Sequence, residues 1–151
     1  MKTLSNRQDF DSIRSRIESL TADDQRLWGS MTVGGMVCHL SDAFKVAAGE
    51  KPTAKSWFGV IPGPVMKWMA LRAPVKWPPG VKTIPEVEQG VGGTPPAEFA
   101  TDLSILLDSL ETFMAHSGKW PRHAIFGAMT ASDWMRWGFL HADHHLRQFG
   151  R

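Results

Sequence analysis

The sequence predicts an all-α fold: a four-helix bundle with one long crossover between the second and third helices, in a single domain over residues 1–151. Three observations carry this expectation. Apolar residues recur at spacings of three and four in four separate segments, the period of a helix with one buried face. Cap and stop residues stand at the ends of those segments. Nine of the ten prolines fall within 50–96, which divides the helical segments into two pairs.

The first helix reads over 6–20, where Phe10, Ile13, Ile17 and Leu20 share a face and Arg and Asp fill the others. A polar link, 21–24, follows. Thr32 is a good N-cap for the second helix, which carries Met36, His39, Ala43 and Val46 along one stripe. It closes near Ala48, with Gly49 to end it and Pro52 beyond. Gly34 and Gly35 in its first turn each cost ~1 kcal/mol against alanine, and they permit close approach of another helix or a ligand.

Within the crossover, 64–72 reads as a short helix with Val65, Trp68, Met69 and Leu71 apolar, led into by Trp57 and Phe58. A connection this long in a compact domain covers something, whether as a lid, a dimer contact or a membrane-surface patch. The third long helix is expected to start with Thr94 as N-cap and Pro95 at its first position. Phe99, Leu103, Leu106, Leu110 and Phe113 form its stripe, and 116–118 its stop. After a loop over 119–129, the fourth helix starts at Thr130, with Asp133 completing a variant of the capping box. Trp134, Gly138, His141, His145 and Gln148 then fall on one stripe.

Composition narrows the function classes. At 42% hydrophobic and 21% charged the chain is an ordinary globular protein. A net charge of +2, scattered along the sequence, offers nucleic acid no basic face. One cysteine, Cys38, excludes an intramolecular disulfide and a cysteine-rich zinc site, and it reads as a small core residue. The start of the chain has no signal-peptide pattern, and no apolar run reaches the ~18 residues of a membrane helix. A cytoplasmic protein that does not enter the membrane is expected. Seven Trp and eight Met with no Tyr point to a Trp-rich core, or to a pocket lined by Trp and Met.

Three of the six histidines, His141, His144 and His145, lie within five residues of one another on the fourth helix. At about 100° per residue, His145 stands about 40° from His141, and His144 about 60° away on the other side. The stripe through Trp134 and Gly138 favours His141 with His145, and two imidazoles four apart on a helix can share one metal ion. His144 then lies to one side, and Asp143 faces the opposite way. His39 is the best third ligand, since it lies on an apolar face where a lone imidazole needs a polar partner. Asp42 reads as a solvated helix charge, with a fourth metal ligand or an acceptor behind a ligand as the alternatives. His116 sits at a helix end, where a cation suits the dipole. His123 reads as a surface loop residue, with approach to the metal or the pocket mouth as the alternative.

These residues resemble a known superfamily. The matching blocks are Trp28-Gly29-Ser30-Met31-Thr32-Val33 with Cys38-His39-Leu40-Ser41-Asp42-Ala43, then Phe126-Gly127-Ala128-Met129-Thr130, Asp133-Trp134 and the run from His141 to Gly150. They look like the DinB-like (DinB/YfiT) metalloproteins, and most like the DUF1569 branch. The resemblance implies a four-helix bundle with metal ligands His39, His141 and His145. The loop departs from the superfamily's usual His-Pro-x-Phe-Gly, being His123-Ala124-Ile125-Phe126-Gly127, so no role carries over to His123. Characterised relatives in the superfamily include thiol-dependent S-transferases and isomerases using bacillithiol, mycothiol or glutathione. The branch itself is of unknown function.

Three neutral imidazoles with an open fourth position suit a catalytic metal more than a structural one. Zn, Ni, Fe or Co all accept imidazole ligands. The first expectation is an enzyme in which a divalent metal activates a low-molecular-weight thiol, or water, against a small electrophilic substrate. The second is a non-enzymatic metal-binding or interaction module, such as a homodimer formed through 57–71. The third is a plain helical bundle with core histidines and no metal.

Overall fold

The computed structural model describes residues 1–53, 63–73, 77, 80 and 83–151. Among these are five α-helices: α1 (Arg7–Glu18), α2 (Val33–Ala47), α3 (Gly63–Arg72), α4 (Phe99–Ala115) and α5 (Ala131–Gln148). A 3₁₀ turn, Pro85–Val87, precedes α4. No strand occurs among the described residues, which are all-α. None of the described helices is long and apolar enough to cross a membrane. Trp57 and Phe58, and with them the first part of the 57–71 segment, lie outside the described residues.

α2 is the central element. It packs most extensively on α4 and also meets α5 and the 3₁₀ turn, while α1 packs against α5 and α4 and α3 against α5. Its predicted start is observed: the Thr32 hydroxyl accepts from the Gly35 amide at 3.1 Å, satisfying one of the free donors of the first turn. Gly34 and Gly35 are there for proximity. A Cβ on Gly34 would stand 3.2 Å from Pro96, and one on Gly35 3.1 Å from the Thr32 hydroxyl. Gly49, at φ +80°, terminates the helix in the left-handed conformation expected there.

α1 is shorter than 6–20. Asn6 caps it through a bond from the Asp9 amide, and Leu20, just past its end, is still buried. The capping box of α5 is present, with Thr130 and Asp133 each accepting from the other's amide. Asp133 also pairs with Lys67 and Arg72, which ties α3 to the start of α5.

The start of α4 differs from the expectation. Its N-cap is Glu98, whose carboxylate accepts from the Ala100 and Thr101 amides, and Pro95 lies before the helix. Thr94 is engaged elsewhere, donating both its amide (2.7 Å) and its hydroxyl (2.8 Å) to the Asp42 carboxylate. An ionised acceptor outcompetes a capping role, because a charge-assisted bond is roughly twice as strong as a neutral one.

The core runs between α2, α4 and α5, with Phe44, Phe113, Trp134 and Trp137 in mutual aromatic contact. Each such ring contributes about 1.5–3 kcal/mol by burial. Gly138 lets α5 come close: a Cβ there would lie 2.8 Å from Leu4 and 2.9 Å from Phe113.

Candidate metal centre

The packing of α2 against α5 brings together His39, His141 and His145. Each offers one ligand atom, and the three atoms lie within 4.8 Å of one another. Ring centroids are 4.7 Å (His39–His145), 5.0 Å (His141–His145) and 5.1 Å (His39–His141) apart. His39 Nε2 lies 3.1 Å from His141 Nε2. A cation at 2.0–2.1 Å from two imidazole nitrogens in tetrahedral array separates them by roughly 3.3 Å, so this pair is close to ligand spacing.

The remaining nitrogens fix which lone pairs face inward. His39 Nδ1 donates to the Val87 carbonyl at 2.8 Å, so its Nε2 carries a lone pair directed at His141. His145 Nδ1 donates to the Gln148 side-chain oxygen at 3.2 Å, which likewise leaves its Nε2 as the free ligand atom. Gln148, itself buried, donates in turn to the Trp28 carbonyl at 2.9 Å. A carboxylate, backbone carbonyl or water is the usual outer acceptor behind a metal-ligating histidine, and the Gln148 side-chain oxygen takes that place for His145.

Electrostatics favour the uncharged ligand form. Burial pushes His39 below the ordinary imidazole range. His141 and His145 lie well below it, through burial and then through neighbouring imidazoles. Three neutral imidazoles, two of them with lone pairs fixed inward and the third, His141, with no partner on its buried Nδ1, are a donor set that could hold a borderline divalent cation.

The other candidates are placed as follows. His144 is buried beside the cluster, edge-on to Trp28 at 4.9 Å and to His145 at 5.1 Å, outside the group of three. Asp143 points away, paired with Arg16 and Arg147. Cys38 is a buried core thiol, raised to about 11 by burial and then by Asp102. His116 caps the end of α4 and packs on Trp120 at 4.3 Å.

Two expectations need correction. Asp42 is not a solvated charge: its side chain is only 2% exposed and pairs with Lys51 and Thr94, because the crossover folds over that face of α2. His123 is half-buried rather than a fully exposed loop residue. It stacks on Phe126 (4.3 Å, 11° between planes) and abuts Trp134 and Trp137. Its Nδ1 accepts from the Ile125 and Phe126 amides, and burial lowers its pKa to about 4.

Sequence reasoning missed the Val87 carbonyl and the role of Gln148. For Gln148 a signal existed, since it continues the stripe of His141 and His145. For Val87 there was none, because a carbonyl carries no residue identity.

Residues 4–151 match the family model described as "Protein of unknown function (DUF1569)". No curated protein and no solved structure matches the chain.

Proposed function

The chain belongs to the DUF1569 family, and from that premise we propose that His39, His141 and His145 bind one divalent metal ion in a DinB-like four-helix bundle that activates a low-molecular-weight thiol. The observation that carries this reading is the convergence of three neutral imidazoles, with the outward nitrogens of two of them already committed to acceptors. A divalent cation there would act as a Lewis acid, lowering the pKa of a thiol or water at its open position.

The residues around the cluster have definable tasks. Val87 and Gln148 hold two imidazoles in the ligand tautomer. Trp137 packs against His141 at 4.9 Å and Trp77 lies 6.0 Å from it, so apolar walls flank the site and limit water around a nucleophile. The substrate is accordingly a small electrophile, and the protein works in the cytoplasm, where free thiols are abundant.

A non-enzymatic, dimeric metal-binding module is the second reading. One observation favours it: Val65, Trp68 and Met69 of α3 are exposed, Trp68 to 62%. The test is metal analysis of protein purified without a histidine tag. About one divalent ion per chain is expected, lost in His39→Ala, His141→Ala and His145→Ala. Retention of metal by all three variants overturns the ligand assignment. Stabilisation by low-molecular-weight thiols in the loaded protein, followed by turnover with electrophiles, separates the enzyme from the module.

A further inference from the structure

We infer that Gln148 is a positioning residue which fixes His145 in the Nδ1–H tautomer and aims its Nε2 into the histidine cluster. Its consequence for metal affinity rests on the function proposed above; the tautomer itself does not.

A neutral histidine has one N–H, and the nitrogen that carries it cannot ligate. In water the two tautomers interconvert freely, so a buried ligand histidine needs an acceptor that holds the proton on the outward nitrogen. For His145 that acceptor is the Gln148 oxygen, 3.2 Å from Nδ1 and three residues along α5.

A glutamine amide can turn over and present its NH₂ instead, which would reverse the tautomer. Here the flip is blocked. The Gln148 NH₂ donates at 2.9 Å to the Trp28 carbonyl, and a carbonyl accepts only. The orientation of the amide is therefore set by Trp28 and passed on to His145. The Gln148 backbone grips the same loop, since its carbonyl accepts from the Leu27 amide at 2.7 Å.

Gly29 supports this arrangement from the other side. Its φ of +80° suits glycine, and a Cβ there would stand 2.4 Å from the Gln148 side-chain nitrogen. The space a side chain would need is taken by the amide. The relay also ends at a meaningful place. Trp28 lies just before α2, the helix that carries His39, so the chain His145–Gln148–Trp28 registers the two ligand-bearing helices against each other. The other ligand with a fixed tautomer, His39, uses the Val87 carbonyl, an acceptor with no amide to orient.

The test reads the tautomer directly, by ¹⁵N NMR of the histidine rings in metal-free protein. Wild type is expected to show His145 protonated at Nδ1. Gln148→Leu is expected to lose that preference and to bind Zn²⁺ about 10–100-fold more weakly in competition with a chromophoric chelator. Gln148→Glu keeps an acceptor on Nδ1 and is expected to retain the tautomer. Wild-type His145 protonated at Nε2 overturns the inference, even if Gln148→Leu does not fold. So does an unchanged tautomer, with Zn²⁺ affinity within twofold of wild type, in a folded Gln148→Leu. If wild type takes up no Zn²⁺ while the tautomers behave as expected, the metal reading fails and the positioning role of Gln148 stands.

Discussion

Acidifying the metal-free protein should unfold it through its histidines, and His123 allows the size of one contribution to be worked out. Its Nδ1 faces two backbone donors, the amides of Ile125 and Phe126 at 3.1 and 3.2 Å. Protonating that nitrogen turns an acceptor into a donor and breaks both bonds, in a ring already desolvated between Phe126, Trp134 and Trp137. Burial of the ring puts the folded pKa at about 4, against an ordinary 6.5. For a base lowered on folding, the unfolded chain takes up the proton first. The stability contribution is complete above pH 6.5 and lost as pH falls toward 4, at ~1.4 kcal/mol per pH unit. Integrated over that window, His123 contributes about 3 kcal/mol. The assay is urea denaturation in the presence of a chelator at pH 7, 5.5 and 4, comparing wild type with His123→Asn. Asparagine can still accept from the two amides but does not titrate, so the variant is expected to lose stability overall yet to fall by about 3 kcal/mol less between pH 7 and 4. Carboxylates affect both proteins equally and cancel in the comparison. Parallel pH curves for the two proteins would refute the reasoning.

Three further outcomes are expected. A divalent metal at 100 times its dissociation constant should stabilise the protein by about 2.7 kcal/mol, raising Tm by roughly 5–10 °C; chelation reverses this, and His141→Ala abolishes it. Gly138→Ala should destabilise by about 1–2 kcal/mol in urea titration. The overpacking against Leu4 and Phe113 outweighs the ~1 kcal/mol gain in helix propensity, so a gain in stability would contradict the close approach. Asp42→Ala should cost about 3 kcal/mol by removing the charged acceptor shared by Thr94 and Lys51, and hydrogen exchange at the Thr94 amide should quicken by more than tenfold.

What could be read from the sequence was local or periodic. Thr32 and the Thr130–Asp133 box are contained within a few residues of the helices they start, and both are observed. The histidine pair on α5 follows from spacing alone, and His39 from its place on an apolar stripe. The failures share a different cause. Thr94 is an excellent cap by local rules, but its amide and hydroxyl go to Asp42, 52 residues earlier in the chain. His123 lies in the loop before α5, and its partial burial depends on Trp134 and Trp137 of that helix. Asp42 becomes buried only because the end of the crossover lies across it. Each is decided by a tertiary contact, and periodicity in one segment carries no information about what another segment lays over it.

The distribution of the cluster along the chain also has a temporal consequence. His39 is separated from His141 by 102 positions. A nascent chain emerges at about 5–20 residues per second, so His39 waits several seconds before either partner has been synthesised. During that interval the polypeptide holds one imidazole of the three and competes poorly for any ion. In the proposed metal reading, three-ligand capture would await the docking of α5, which would make loading a late event governed by the ions present around a finished fold rather than around a growing one. On the same reading, a chain stopped anywhere before position 141 would carry only one of the three ligands.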